Sequence, residues 1–196
     1  NQWAGLLTSG TVVTQEDPEQ GEVLHMNAAG TTYVQIDPKA IDFTSRETMT
    51  LGFNLKSETA DGNFFTVAMG QDTNKYFYMR TRADETYCGI TKESYGKEEG
   101  ATAQVDTYNK WVRVELVFTP EQIITYMDGV SVSTIDKSVL VTDLGKNPVV
   151  YLGKSFYSED KYFAGAFDNI EVYNRARSAQ ELALSYLTSQ AGMLKE

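Results

Sequence analysis

One residue of this sequence, Asp168, places a carboxylate on the apolar side of a predicted strand, where a charged group needs a partner. The stretch from Tyr162 to Tyr186 opens with alternating side chains, and Asp168 falls on the same side as Ile170 and Val172. If that side faces the core, the carboxylate must be paired, hydrogen-bonded or bound to a cation, because a bare buried charge is costly. Two interpretations stay open: a carboxylate that receives backbone N–H groups at a frayed strand start, and a metal ligand.

The sequence has one histidine and one cysteine, and neither has the companions of a catalytic group. His25 is expected on the outward side of its strand, and no Gly-x-Ser-x-Gly elbow accompanies it. Cys88 has no second cysteine, which excludes an internal disulfide and favours a packing role over a nucleophile. A Gly-x-x-x-x-Gly-Lys phosphate loop is also absent from the sequence.

Three alternating segments carry the largest set of candidate binding residues. Segments 49–56, 75–81 and 111–118 each place apolar side chains at period two, so one side of each strand is expected in the core and the other in water. If the three strands share one sheet, their polar side chains form one open face, to which the loop around 91–96 adds a rim. The predicted ligand-binding residues are Asn54, Tyr76, Tyr78, Arg80, Arg82, Tyr87, Lys92, Tyr95, Arg113 and Glu115.

This set of side chains suits a sugar. Flat tyrosine rings can cover a pyranose face, amides and carboxylates can hold hydroxyl groups, and forked guanidinium groups can hold a carboxylate. The alternative is an ordinary open sheet face, since tyrosine favours strands and cross-strand Arg–Glu neighbours stabilise a sheet by a few tenths of a kcal/mol, roughly.

The elements that must position these residues are short strands. About a dozen runs of alternating or apolar residues are separated by turn signals, including the Asp128-Gly129 pair. One helix is expected near the end, where Ser178 and Glu181 form a capping-box pattern. The sequence predicts an all-β fold, a two-sheet antiparallel jelly-roll sandwich with one short C-terminal helix. A single domain over residues 1–196 is expected, with 188–196 as a tail or linker.

The closing segment resembles a known family. Residues 163–181 are similar to F-x-G-x-I-D-E-V-R-I-Y-N-R-A-L-S-x-x-E-I, the closing strand and helix of laminin-G-like modules of the concanavalin A-like lectin/glucanase superfamily. Asn169 stands where the family has an acidic residue, and Arg177 where it has leucine. Shorter resemblances cover Val23 to Ala28, with Asn27 in place of aspartate, Trp111 to Phe118, and Val149 to Gly153.

The resemblance implies a non-catalytic carbohydrate-binding module that holds a glycan on its concave sheet face or rim loops. The Glu-x-Asp-x-x-Glu motif of the family's glucanases is missing, since no Glu-x-Asp occurs in the sequence, although retaining hydrolysis needs two paired carboxyl groups. The resemblance also implies a structural Ca²⁺ ion held by Asp168 and Asn27. An amide in place of a carboxylate would weaken such a site.

Partners and location follow partly from charge and partly from the resemblance. With 17 basic and 27 acidic residues, the net charge of -10 argues against a nucleic-acid groove or an anionic membrane surface, and no apolar stretch is long enough for membrane insertion. The resemblance implies a monomeric module of a larger extracellular or cell-surface protein. The ligand stays open between acidic and neutral sugars, and the alternative functions are a protein-binding adhesion or spacer domain and an unrecognised hydrolase.

Overall fold

The computed structural model describes residues 13–27, 32–36, 46–59, 64–82 and 84–193, and this part of the chain is a sandwich of two antiparallel sheets with one α-helix. The expected all-β jelly-roll fold is confirmed. The elements are β1 (Val13–Asp17), β2 (Gly21–Met26), β3 (Val34–Ile36), β4 (Met49–Ser57), β5 (Phe64–Asp72), β6 (Lys75–Thr81), β7 (Thr86–Thr91), β8 (Glu99–Ala103), β9 (Val112–Phe118), β10 (Gln122–Met127), β11 (Val130–Asp136), β12 (Val149–Leu152), β13 (Gly165–Tyr173) and α1 (Ala179–Met193).

Seven strands form one sheet in the order β1-β2-β13-β4-β9-β10-β11, and six form the other in the order β3-β12-β5-β6-β7-β8. The core lies between them and is built from the apolar side of each alternating strand. Leu51, Phe53 and Leu55 of β4 and Val114 of β9 are completely buried there. Burial of such side chains contributes about 2 kcal/mol each, which makes this layer the main source of stability.

The strand β6 lies in the six-stranded sheet, whereas β4 and β9 are neighbours in the seven-stranded sheet. The expectation that these three strands share one sheet is therefore wrong. Alternation shows which side of a strand is apolar. It does not show which of the two sheets the strand joins, because both sheets bury one side in the same core.

Two strands lack the apolar alternation that predicts the others. The segments that form β1 and β8 are polar and charged. Both strands lie at the edge of a sheet, where a strand has one neighbour and little buried surface. Backbone hydrogen bonds to that neighbour form them without an apolar pattern.

The helix α1 begins at the expected capping box. The Ser178 N–H donates to Glu181 Oε2 at 2.8 Å, and the Glu181 N–H donates to Ser178 Oγ at 3.3 Å. Side-chain hydrogen bonds from Arg175 lower the pKa of Glu181 to about 2. Leu182 is fully buried against Val117 and Tyr126, so α1 packs on the outer face of the seven-stranded sheet.

The helix continues to Met193, so residues 188–193 are helical, and their role as a tail or linker stays a prediction. Residues 194–196 lie outside the described part of the chain.

Candidate functional site

A pocket of about 550 Å³ opens on the outer face of the seven-stranded sheet. Its floor is formed by β4, β9 and β13, and its sides by the turn between β1 and β2 and by the second half of α1. The volume falls within the range of small-molecule sites, roughly 300–1,000 Å³. The polar and aromatic side chains of its lining include those of Asn54, Trp111, Asp168, Glu171 and Tyr186.

A β-bulge in β13 builds the floor of this pocket. Asp168 lies opposite Asn54 and Glu171 opposite Gly52, so β13 has one residue more than β4 across this interval. Asn169 takes up the extra residue with a φ of 46°, a left-handed conformation that asparagine adopts more readily than most residues. Asp168 and Glu171 both line the pocket as a result.

The bulge also corrects the expected orientation of Asp168. Phe167 before the bulge and Ile170 and Val172 after it all contact the core, although an uninterrupted strand would turn Phe167 away from the other two. Asp168 therefore faces the pocket, and the expectation that it shares the core side of Ile170 and Val172 is wrong. The extra residue at the bulge reverses which side of β13 the odd-numbered and even-numbered side chains occupy.

Arg113 crosses the floor of the pocket and is held by the protein itself. Its Nη2 lies 2.6 Å from Glu171 Oε2 and 3.5 Å from Glu115 Oε1, and its Nη1 donates to the Asn169 carbonyl at 2.8 Å. The guanidinium fills the space above Gly52, where a Cβ atom would collide with Nη2. With these donors in use, Arg113 positions Glu171 and has little capacity left for a ligand's carboxylate.

Glu115 is buried beneath this arginine, with an exposed fraction of 1%. Arg177, whose guanidinium stacks on Tyr173 at 4.6 Å, reaches Glu115 Oε1 at 3.1 Å. Burial raises the pKa of Glu115 in spite of the attraction of Arg113 and Arg177. The arginine that replaces the family's leucine is thus the partner of a buried carboxylate.

The pocket is acidic. Burial raises the pKa of Asp168, which is 4% exposed, while the Asn169 N–H and the charge of Arg113 oppose this shift. Burial likewise raises the pKa of Asp128, which accepts the Arg113 N–H at 2.9 Å. Five acidic side chains and one basic side chain, Arg113, line the pocket: Glu19, Glu115, Asp128, Asp168 and Glu171. This charge balance disfavours an anionic ligand.

Asp17 fixes the side of the pocket at the β1–β2 turn. The indole N–H of Trp111 donates to Asp17 Oδ1 at 3.0 Å, and Lys56 Nζ lies 3.1 Å from Asp17 Oδ2. Burial raises the pKa of this carboxyl, but hydrogen bonds from Glu19, Lys56 and Trp111 outweigh it and the pKa is lowered. The Trp111 ring is therefore held in one orientation at the pocket, as a flat surface for a ligand requires.

The outer face of the six-stranded sheet is closed where the tyrosines were expected to bind. Tyr76 and Tyr78 are 2% and 5% exposed, packed with Phe156 and Tyr157. Tyr76 donates its hydroxyl to Glu98 Oε1, and Tyr78 donates to Glu98 Oε2 at 3.0 Å. Burial raises the pKa of both phenols, and the Glu98 carboxylate raises it further. Neither ring presents a face to a ligand.

Among the other candidates on this side, Arg80 and Tyr87 are half-buried and lie 5.1 Å apart, measured from the guanidinium carbon to the ring centre. In the adjoining loops, Arg82 pairs with Glu85 at 3.2 Å and Lys92 with Asp143 at 3.2 Å. The Tyr95 side chain is 72% exposed.

The ten predicted binding residues therefore do not form one face. Asn54, Arg113 and Glu115 meet at the pocket on one sheet. The remaining seven lie on the opposite sheet and its loops: Tyr76, Tyr78, Arg80, Arg82, Tyr87, Lys92 and Tyr95. Whether any of them binds a ligand stays a prediction.

Calcium was expected between Asp168 and Asn27, and the strand register places these two residues apart. Met26 lies opposite Gly165 in the ladder between β2 and β13, so Asn27 is displaced from Asp168 by four residues, roughly 13 Å along the strand. Among the described residues, no three His, Cys, Asp or Glu side chains group as metal ligands. The Asn27 backbone N–H donates to Thr32 Oγ1 at 2.8 Å. Calcium binding by this pair stays a prediction without support from the geometry.

Several pocket residues escaped the sequence interpretation. Asn169 was noted as a departure from the family pattern but was not connected to the site, and Gly52 was not singled out. A glycine inside a strand often marks the close approach of another group, and an asparagine inside a strand can mark a bulge. Nothing in the sequence pattern places Trp111 or Tyr186 at the pocket.

Comparison with known proteins agrees with this architecture. The Laminin_G_3 model of the concanavalin A-like lectin/glucanases superfamily matches residues 28–183. The chain belongs to this family. The resemblance found in the closing segment is thus confirmed over most of the chain.

One curated relative is an alpha-L-arabinofuranosidase of Bifidobacterium longum, 27% identical over 186 residues. The match covers 87% of this chain and 17% of the enzyme, so the chain spans about a sixth of that relative's length. The relative shows that domains of this sequence type occur within long glycan-acting enzymes.

Similar solved structures show the same fold at low identity. Domain 4 of the extracellular arabinanase AbnA from Geobacillus stearothermophilus, solved with arabinotriose, has a TM-score of 0.67 and 15% identity over 89% of this chain and 81% of that chain. The botulinum neurotoxin serotype C1 binding domain has a TM-score of 0.67 and 11% identity over 92% of this chain and 46% of that chain. Within the described residues, no helix is long and apolar enough to cross a membrane.

Proposed function

We propose that this protein is a non-catalytic carbohydrate-binding module that holds a neutral sugar in the pocket of the seven-stranded sheet. The observation that carries the proposal is that a fixed aromatic ring, Trp111, and the carboxylate of Asp168 line the same open pocket. Sugars are bound by such a combination, because a ring covers their C–H surface and carboxylates accept their hydroxyl protons.

The charge of the pocket supports a neutral ligand over an acidic one. Arg113, the one basic side chain of the lining, is already bound to Glu171, Glu115 and the bulge. A ligand carboxylate would meet acidic neighbours and no free cation here. A ligand with hydroxyl groups would find acceptors on Asp168 and Asn54.

Arabinose-containing oligosaccharides are the first ligands to test. Domain 4 of AbnA was solved with arabinotriose, and the curated relative is an arabinofuranosidase. These relationships support a module that anchors a larger extracellular glycan-acting protein to its substrate.

The test is isothermal titration of arabinotriose, with xylotriose and cellotriose as neutral competitors. Trp111→Ala and Asp168→Asn are each expected to weaken arabinotriose binding by about tenfold or more, a loss of about 1.4 kcal/mol. Tyr162→Ala, a half-buried ring outside the pocket, is the control and should bind as wild type does. The melting temperature of each variant separates a local effect from unfolding.

Two results would overturn the proposal: no saturable binding of any of the three sugars, or wild-type affinity in both pocket variants. Release of reducing ends on prolonged incubation with arabinan would show a hydrolase instead of a binding module.

A protein-binding or spacer role is the second candidate, favoured by two exposed leucines of α1. Leu184 and Leu187 are 66% and 64% exposed, and they are three positions apart, which puts them on one side of the helix. Exposed apolar surface of this kind occurs at protein interfaces. A folded protein that binds none of the sugars would favour this role.

A further inference from the structure

Two arginines on opposite sheets differ in how the protein neutralises them. Arg113 is held by two carboxylates and a carbonyl. Arg80 has no carboxylate partner among the described residues, and its Nε is buried without a hydrogen-bond acceptor there. Its guanidinium lies over the ring of Tyr87, with 5.1 Å between the guanidinium carbon and the ring centre, and the ring attracts the cation without neutralising it.

Tyr87 is seated in a way that fixes its ring on the surface of the sheet. Gly89 lies two residues further along β7, and Gly100 lies opposite Gly89 on β8. A Cβ atom at Gly100 would collide with the Tyr87 hydroxyl, and one at Gly89 would lie 3.0 Å from Tyr87 Cε1. The two glycines therefore let the ring lie across both strands, with its hydroxyl 3.5 Å from Glu98 Oε2.

This corner of the sheet is accessible from solvent. Strand β8 is the edge strand, and Gly100 and Thr102 are exposed beside Tyr87. Phe156 and Tyr157 pack with Tyr76 and Tyr78 in the adjoining part of the face. Glu98, at the hydroxyl end of the Tyr87 ring, already accepts hydrogen bonds from three phenols.

We infer that Arg80 and Tyr87 form a second sugar subsite, which takes a sugar that carries a carboxylate. The guanidinium binds the carboxylate with the paired geometry that arginine provides, and the fixed ring of Tyr87 packs against the sugar. The inference rests on the proposed function only in taking the ligand to be a glycan, since the two sites lie on opposite sheets.

The experiment is titration of wild-type protein with trigalacturonate and with sialyllactose, two sources of the same carboxylate chemistry, and with neutral galactotriose. Saturable binding of at least one acidic sugar is expected, with galactotriose bound more weakly by about tenfold. Binding should weaken as salt rises, because a half-exposed ion pair is screened.

The variants locate the site. Arg80→Gln should lower the affinity for the acidic sugar by about tenfold or more, and Arg80→Lys by less, because lysine keeps the charge and loses the planar fork. Arg46→Gln, an exposed arginine that donates to the Asn174 carbonyl, removes the same charge elsewhere and should bind as wild type does. Melting temperatures confirm that each variant is folded.

The inference is overturned if Arg80→Gln binds the acidic sugar like wild type, or if neither acidic sugar binds more tightly than galactotriose. It is also overturned if Trp111→Ala abolishes acidic-sugar binding and Arg80→Gln does not, since the ligand would then occupy the pocket. Failure of arabinotriose binding alone would remove the proposed pocket function and leave this subsite standing.

Discussion

The two outer faces of the sandwich pair their polar and aromatic side chains in different ways. On the seven-stranded sheet, ionic side chains bind one another around Gly52 and leave a pocket between a turn and α1. On the six-stranded sheet, aromatic side chains pack on one another, and their hydroxyls converge on Glu98. A polar network can leave room for a ligand, whereas close-packed rings exclude one.

The comparison also shows that residue type is a poor guide to availability. Tyrosine and arginine are typical of sugar sites, yet Tyr76 and Tyr78 are buried and Arg113 is bound by the protein. The residues left for a ligand are Asp168, which lines the pocket on one face, and Arg80, whose Nε has no hydrogen-bond acceptor among the described residues, on the other.

The largest effect is expected from removing the acceptor that closes the aromatic face. Glu98→Ala leaves the buried hydroxyls of Tyr76 and Tyr78 without their acceptor, and we expect a loss of about 3 kcal/mol in the free energy of unfolding. Urea denaturation measures it. Glu93→Ala removes an exposed carboxylate of the same loop and should cost less than about 0.5 kcal/mol. Equal losses in the two variants would show that Glu98 does not hold this face together.

A smaller loss in the free energy of unfolding is expected when a side chain is placed at Gly100, beneath the Tyr87 ring. Gly100→Ala puts a methyl group where the Tyr87 hydroxyl lies, so the ring must move, at a cost of about 2 kcal/mol. Acidic-sugar binding should fall with it, while arabinotriose binding stays at the wild-type level. In Gly96→Ala the new Cβ meets no atom within 4 Å, which makes it the matched control. Unchanged acidic-sugar affinity in Gly100→Ala would remove Tyr87 from the second subsite.

The corresponding substitution on the other sheet should reverse the pattern of binding. Gly52→Ala forces the Arg113 guanidinium away from its place above β4, at a cost of about 1 kcal/mol because the end of a long side chain can shift. Glu171 loses its alignment, and we expect weaker arabinotriose binding with acidic-sugar binding unaffected. Parallel titrations of both ligands measure this. If either glycine substitution weakened the binding of both ligands equally, the two faces would not be independent.

The smallest effect is a change in the pH dependence of stability. Burial raises the pKa of Asp168 above its ordinary value of 3.8. Between pH 3.8 and the raised pKa, the folded state therefore binds more protons than the unfolded state. This group's contribution to stability is therefore lost as pH rises from 3.8 through the raised pKa. Asp168→Asn should remove that loss and stabilise the protein at pH 7 by roughly 0.5 kcal/mol.

Thermal unfolding from pH 3 to pH 8, roughly spanning the titration of carboxyl groups, checks this prediction, with the exposed Asp136→Asn as the control. A pH profile of Asp168→Asn parallel to that of wild type would show that the carboxylate is not destabilised by its surroundings.

Much of the framework could be predicted from residues that act locally. The alternation at Leu51, Phe53 and Leu55 predicts a strand with one buried side, and all three are buried. Asp128 and Gly129 predict a turn with positive φ at both positions, and they adopt 51° and 78°. The capping box at Ser178 and Glu181 forms as expected. Each of these patterns depends on a few neighbouring residues, so it predicts its strand, turn or helix start whatever the rest of the fold is.

The site could not be predicted in the same way, because it depends on contacts between distant segments. The position of β6 in the six-stranded sheet separates Arg80 from Arg113, and one extra residue at Asn169 turns Asp168 from the core to the pocket. The sequence by itself determined two apolar-sided layers and one capped helix, since side-chain period is a local property. Only the tertiary structure decided which strands are neighbours and which charges are already paired, because strand pairing and burial are properties of the whole chain.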